Sequence, residues 1–160
     1  MTATYKNITE ELGEYFSIQE LVSKAVWERY GENAWRFFDP RLIHTLLVLR
    51  RDILRVPLVC NNWKSGGLLQ QRGLRENTSD IVKAKTAKGQ MYLSAHTTGQ
   101  AVDLSSGSMS ANGMREAIVI LADLLPYPVR IEDGASAPTW LHIDVACPPS
   151  QEKKITFFKD

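Results

Sequence analysis

Cysteine is scarce in this chain. Only Cys60 and Cys147 are present, too few for a disulfide framework or a cysteine-rich zinc module, and Cys60 is expected to be a small buried side chain. Long hydrophobic runs are also missing. No stretch approaches the roughly 20 apolar residues of a membrane-spanning helix, and residues 1–7 lack the apolar segment of a signal peptide. Synthesis in the cytoplasm is therefore expected, with any exit by another route. Neither sign of charge dominates: 19 basic residues face 18 acidic ones, a net charge of +1. That balance provides no long-range attraction to nucleic acid or to an anionic membrane, so neither is expected as a partner. Internal repeats and low-complexity blocks are absent too. Histidine is rare, with three in 160 residues, so the places where they fall carry information.

What is present suits one globular domain over residues 1–160, taken as a monomer. Hydrophobic residues make up 44% of the chain, enough for a single core. Residues 1–16 read as a loose lead-in. A helix is expected from Ser17, whose side chain can form a capping box with Glu20, to the stop at Gly31. Trp27, Tyr30, Trp35, Phe37 and Phe38 form an aromatic cluster suited to core or lid packing, or to a carbohydrate or peptide platform. Asp39-Pro40 is a strong helix start, and Leu42, Ile43, Leu46, Leu47, Ile53 and Leu54 carry a central buried helix over 40–55. His44 lies beside that apolar face without acidic or cysteine neighbours at ligand spacing, and reads as a packed or surface histidine.

Residues 56–60 read as a short strand and 61–91 as a long punctuated loop with a short helix near 68–71. A strand is expected over 101–104, a helix over 111–125 closed by Pro126 and Pro128, and a pair of strands, 129–132 and 141–145, joined as a hairpin. The tail at 153–160 can add an edge strand. The fold class is α+β, with N-terminal helices packed on a mainly antiparallel sheet crossed by one late helix.

Two of the three histidines stand in short distinctive segments: Ser94-Ala95-His96-Thr97-Thr98-Gly99-Gln100-Ala101-Val102-Asp103 and Trp140-Leu141-His142-Ile143-Asp144. A catalytic zinc takes three protein ligands and leaves one position open for water. His96, Asp103 and His142 offer nitrogen, oxygen and nitrogen, and only folding can assemble them. Spacing alone leaves open the alternative that they are ordinary polar residues.

The wording of both segments resembles a known signature. Ser-x-His-x-x-Gly-x-Ala-x-Asp followed by Trp-x-His is similar to that of the zinc D-alanyl-D-alanine carboxypeptidases and L-alanyl-D-glutamate endopeptidases, which share their fold with the hedgehog signalling domain. Ser94, His96, Gly99, Ala101 and Asp103 fill all the fixed positions of the first segment. Asp39-Pro40 opening an apolar helix, Pro57-Leu58-Val59 and Gly66-Gly67 ahead of the motif resemble the phage and prophage members.

The resemblance implies that His96, Asp103 and His142 bind Zn2+, which activates water against peptidoglycan stem peptides. Gly99 and Ala101 would let backbones pass close to the site, and Ser94 would orient the loop or meet substrate. Trp140 would pack in the core beside the ligand, and Asp144 could support His142 from behind. Relatives commonly place Glu or Asp three residues before the last histidine. Here Thr139 stands there, so the general base falls to Glu132, with Asp133 next. Many relatives also carry Gly-Tyr-Arg-Ser after the first strand, where this chain has Asn62-Trp63-Lys64-Ser65. Lys64, Arg72 and Arg75 are thus the candidates for stabilising an oxyanion or binding substrate. The implied function is an endolysin-like metallopeptidase that reaches the cell wall by a phage-type release route or as a virion component. The alternatives are a catalytically silent, zinc-containing wall-binding or virion structural module, and a domain that keeps the motif as scaffold without metal.

Overall fold

A computed structural model describes residues 5–159. Its α-helices are α1 (Tyr5–Leu12), α2 (Lys24–Tyr30), α3 (Pro40–Val48), α4 (Asp80–Ala87) and α5 (Ala111–Ile120), and its strands are β1 (Ala101–Leu104), β2 (Val129–Glu132), β3 (Leu141–Asp144) and β4 (Ile155–Phe158).

The lead-in reading of 1–16 does not hold over its described part. Ile8, Leu12 and Phe16, four residues apart, form a buried stripe, and α1 packs on α3. The intervening Lys, Asn, Thr and Glu residues hid that stripe. Residues 1–4 lie outside the described residues. Ser17 and Glu20 do interact, with the Ser17 N–H donating to the Glu20 carboxylate at 2.8 Å, but they close only a 3-10 turn over Ile18–Glu20. The helix proper begins later, with Ser23 Oγ capping the Val26 N–H, and stops at Gly31, whose φ of +53° suits glycine.

α3 is the central helix. Asp39 caps it by accepting from the Arg41 N–H at 2.9 Å, and Pro40 takes the first turn. Leu42, Ile43, Thr45, Leu46, Leu47 and Val48 are all buried, and a π-helical turn over Leu49–Ile53 extends it. Of the aromatic cluster Phe38 is buried, while Trp27, Tyr30, Trp35 and Phe37 pack partly buried against the core.

Residues 56–60 contribute only a single bridge, Val59 with Ser105. Pro57 has no N–H to give, and the Asn61 amide, two residues beyond Val59, turns away to the Glu20 carbonyl. No helix forms at 68–71. That segment doubles back instead, the Leu69 N–H meeting Asn62 Oδ1 and the Asn62 N–H meeting the Leu69 carbonyl. The loop's helix is α4, which buries only Val82 and so has no apolar stripe to announce it. α5 ends five residues earlier than 125 and is followed by a 3-10 turn over Ala122–Leu124; Leu121 and Leu124 are exposed.

The sheet order is β1-β3-β2-β4. The expected β2–β3 pairing is present, but β4 runs parallel to β2, so the sheet is mixed. Val102, Leu104, Val129, Ile131, Leu141 and Ile143 join the core. Strand alternation then turns Asp103, Glu132 and His142 to the opposite face.

Asp39 links this framework to the motif loop. Besides capping α3, its carboxylate accepts from Gln100 Nε2 at 3.0 Å and its N–H donates to the Gly99 carbonyl at 2.9 Å. The side-chain hydrogen bond from Arg41, helped by Gln100 and the Arg41 amide against partial burial, lowers its pKa to about 2. Asp39→Ala should cost about 1 kcal/mol of stability, the usual worth of an N-cap. A depressed carboxylate stabilises the fold above its unfolded pKa near 4 and loses that contribution as pH falls towards 2. Urea unfolding of both proteins at pH 7 and pH 2.5 should therefore show the gap narrowing in acid.

Candidate metal centre

The loop carrying His96 is built from short-range bonds that its own residues specify. Thr97 Oγ1 donates to the Ser94 carbonyl at 2.7 Å, the His96 N–H donates to Ser94 Oγ at 3.2 Å, and the Gln100 N–H donates to the Ala95 carbonyl at 2.8 Å. Ser94 is thus a loop-capping hydroxyl at the edge of the cavity. Gly99 has a φ of +67°, and a Cβ there would lie 2.0 Å from the Phe37 carbonyl oxygen. Only glycine fits so close an approach in that conformation.

From this loop the chain enters β1, which pairs antiparallel with β3 so that Asp103 lies opposite His142. The three candidate ligands are buried together. His96 Nε2 is 3.3 Å from His142 Nδ1 and 3.4 Å from Asp103 Oδ1, and the third side of the triangle, His142 Nδ1 to Asp103 Oδ1, is 2.9 Å. Donors bound at about 2.0–2.1 Å around a tetrahedral ion lie about 3.3 Å apart, so the triangle is close to the required size.

The outward nitrogens are anchored as well. His96 Nδ1 is 2.8 Å from the Gly73 carbonyl. A carbonyl only accepts, so Nδ1 carries the proton and Nε2 turns a lone pair inward. His142 Nε2 is 3.1 Å from Asp144 Oδ2, which directs its Nδ1 inward in the same way. A carbonyl or carboxylate behind each histidine is the arrangement that orients metal-ligating imidazoles. The group can hold a metal ion.

Electrostatics point the same way. Burial lowers the pKa of His96. Burial would raise that of Asp103, but hydrogen bonds from His142 and His96 outweigh it and hold the carboxyl well below its usual range. For His142 burial again opposes charge, yet its bonds to Asp103 and Asp144 prevail and push it up to about 9. The site favours a positive charge between its carboxylates, whether a proton or a metal cation.

The cluster opens into a cavity of about 980 Å³, whose lining includes Arg75, Ser94, Arg130, Glu132, Trp140 and Phe158. β2 pairs with β3 through Ile131–Ile143 and with β4 through Glu132–Phe158. One step along the first register sets Glu132 across from His142, so Asp103, His142, Glu132 and Phe158 form a row over the sheet.

Among the three basic candidates only Arg75 lines the cavity. It donates to Asp103 Oδ2 at 3.3 Å and to the Tyr92 hydroxyl at 2.6 Å. Lys64 is exposed on a 3-10 turn, and neither it nor the Arg72 side chain lines the cavity. Arg72 contributes its carbonyl, which accepts from the Asp103 N–H at 2.7 Å. Thr139 is exposed, and Trp140 is half-buried at the cavity instead of sitting in the core.

Three residues that sequence reasoning passed over complete the setting. Arg115 is buried on α5 and donates to the carbonyls of Glu132, Ala137 and Trp140, stapling the β2–β3 connection in place. A charged residue beside Met114 and Ile118 on the buried stripe was the available signal. Arg130 pairs with Asp144, and strand alternation could have shown them on one face. Gly73 had no signal: its role lies in a carbonyl and in a close approach to Leu21.

The chain matches no protein-family model, no curated protein and no solved structure.

A Cβ on Gly73 would lie 2.0 Å from the Leu21 carbonyl oxygen. Gly73→Ala must therefore displace the backbone whose carbonyl anchors His96. We expect a stability loss of about 1–3 kcal/mol and metal binding weakened roughly 10–100-fold, read by denaturation and by titration against a competing chelator. The raised His142 predicts a pH effect of opposite sign to that of Asp39. Its contribution is full below the unfolded value near 6.5 and disappears as pH rises through about 9. Protein kept metal-free with chelator should lose stability across that window, and His142→Gln should flatten the curve.

Proposed function

We propose that this protein is a zinc peptidase cleaving peptidoglycan stem peptides, as a D-alanyl-D-alanine carboxypeptidase or an L-alanyl-D-glutamate endopeptidase. The observation that carries the reading is the buried triangle of His96, Asp103 and His142 at tetrahedral spacing, with both outer imidazole nitrogens anchored. The resemblance of the two motif segments to the wall peptidases supplies the substrate class.

In this reading His96 Nε2, Asp103 Oδ1 and His142 Nδ1 hold the ion. Zinc held by these three residues would supply Lewis acidity and acidify bound water. Glu132 takes the proton of the attacking water and returns it to the departing amine as the peptide C–N bond breaks. It is suited to this by lying beside His142 on the cavity side of the sheet. Arg75 has two duties: its bond to Asp103 Oδ2 leaves Oδ1 for the ion, and from the cavity lining its positive charge would stabilise the carbonyl oxygen that gains charge. Tyr92 steadies Arg75. Trp140 and Phe158 offer apolar walls to the substrate backbone.

Elemental analysis should find about one zinc per chain, lost in His96→Ala. Mass spectrometry of digested walls should then show released D-alanine or new peptide ends, and Glu132→Gln should keep its zinc while losing roughly 10²–10⁴ in kcat. A zinc-loaded protein that frees no product from several wall chemotypes would leave a wall-binding or virion module as the better reading.

A further inference from the structure

Arg130 takes no part in the reaction outlined above, yet it is tied to the centre through one buried residue. Asp144 is fully buried. Its Oδ1 accepts from Arg130 Nε at 2.9 Å and from the Ala146 N–H at 3.0 Å. Its Oδ2 accepts from Arg130 Nη2 at 3.0 Å and is 3.1 Å from His142 Nε2. The guanidinium therefore grips the carboxylate as a two-pronged fork. The carboxylate in turn has one lone-pair direction left for the imidazole. Arg130 also lies over an aromatic ring, its guanidinium carbon 4.9 Å from the centre of the Phe158 ring. The register sets Arg130 opposite Asp144, so the chain of contacts follows from strand pairing and not from loop placement.

We infer that Arg130 is a positioning residue for the metal centre, acting through Asp144 to fix the tautomer and ring plane of His142. The inference rests on the zinc reading of the site. Without the fork, the Asp144 carboxylate can rotate about its side chain, and His142 loses the acceptor that keeps the proton on Nε2 and the lone pair of Nδ1 pointed inward. A fork matters here because two parallel N–H···O bonds fix a plane, which a lysine ammonium cannot do. Arg130 should thus act on the metal only by way of Asp144, and the two residues should behave as one unit.

The test is a zinc-affinity cycle using full-length wild type, Arg130→Gln, Asp144→Asn and the double variant, each titrated against a chromogenic chelator. Arg130→Gln should bind zinc roughly 10–100-fold more weakly, the usual effect of losing support behind a ligand. The double variant should be no weaker than Asp144→Asn alone. Arg130→Lys should recover only part of the loss. Proton NMR of the zinc-loaded protein gives a second readout: the His142 Nε2–H resonance, protected in wild type, should broaden or vanish in Arg130→Gln while backbone spectra stay native-like. Additive losses in the double variant, or unchanged affinity and a protected Nε2–H in Arg130→Gln, would overturn the inference and leave the zinc reading standing. Failure of the wild type to bind zinc would overturn both.

Discussion

Pairing of β1 with β3 in a single antiparallel register sets Asp103 beside His142, and the rest of the site is arranged around that pair. Side chains alternate faces along a strand, so a slip of β1 by one residue would send Asp103 into the apolar core, parting it from His142, and bring Val102 out. The register is pinned from both sides. Core residues on the opposite face demand burial, and bonds beyond β1 hold its ends: the Val145 N–H reaches the Gln100 carbonyl, and the Val59–Ser105 bridge closes the other end. The same pairing then limits where His96 can lie, because only residues 97–100 separate it from β1.

Burying this much polarity has a cost that the surroundings offset bond by bond. His96, Asp103, Glu132, His142 and Asp144 are all among the buried residues, and an unsatisfied buried polar group is penalised far more than a made hydrogen bond is rewarded. The answer is a ring of supports: the Gly73 carbonyl behind His96, Asp144 behind His142, Arg75 beside Asp103, and Arg115 beneath the Glu132 carbonyl. Such a network contributes little net stability compared with an apolar core of equal volume. Its presence on one face of a small sheet coincides with the group that could hold a metal ion.

Much of this was legible in the residues, and for identifiable reasons. Asp39-Pro40 followed by leucines gave α3, and alternation gave β1, β2 and β3. The two histidine segments gave the ligand triangle, because ligand chemistry is carried by side-chain identity. What escaped notice was carried by the backbone or by a third dimension. α1 carries its buried face on only Ile8 and Leu12, α4 buries a single side chain, and β4 takes a parallel direction that no local pattern encodes. The choice among Lys64, Arg72 and Arg75 depended on which loop residue faces the cavity, and of the three only Arg75 lines it.

α4 also gives the molecule a gradient of rigidity. One wall of the cavity, through Lys85 and the segment at 90–93, hangs from a helix anchored by Val82 with most of its surface in water, whereas the ligand side is welded to the sheet. Local opening free energy follows buried apolar contact. The helix can therefore breathe at small cost while the histidines stay aligned. The cavity is thus bounded by one weakly anchored wall and one wall fixed by the sheet, so local opening is expected to widen its mouth before it disturbs its floor.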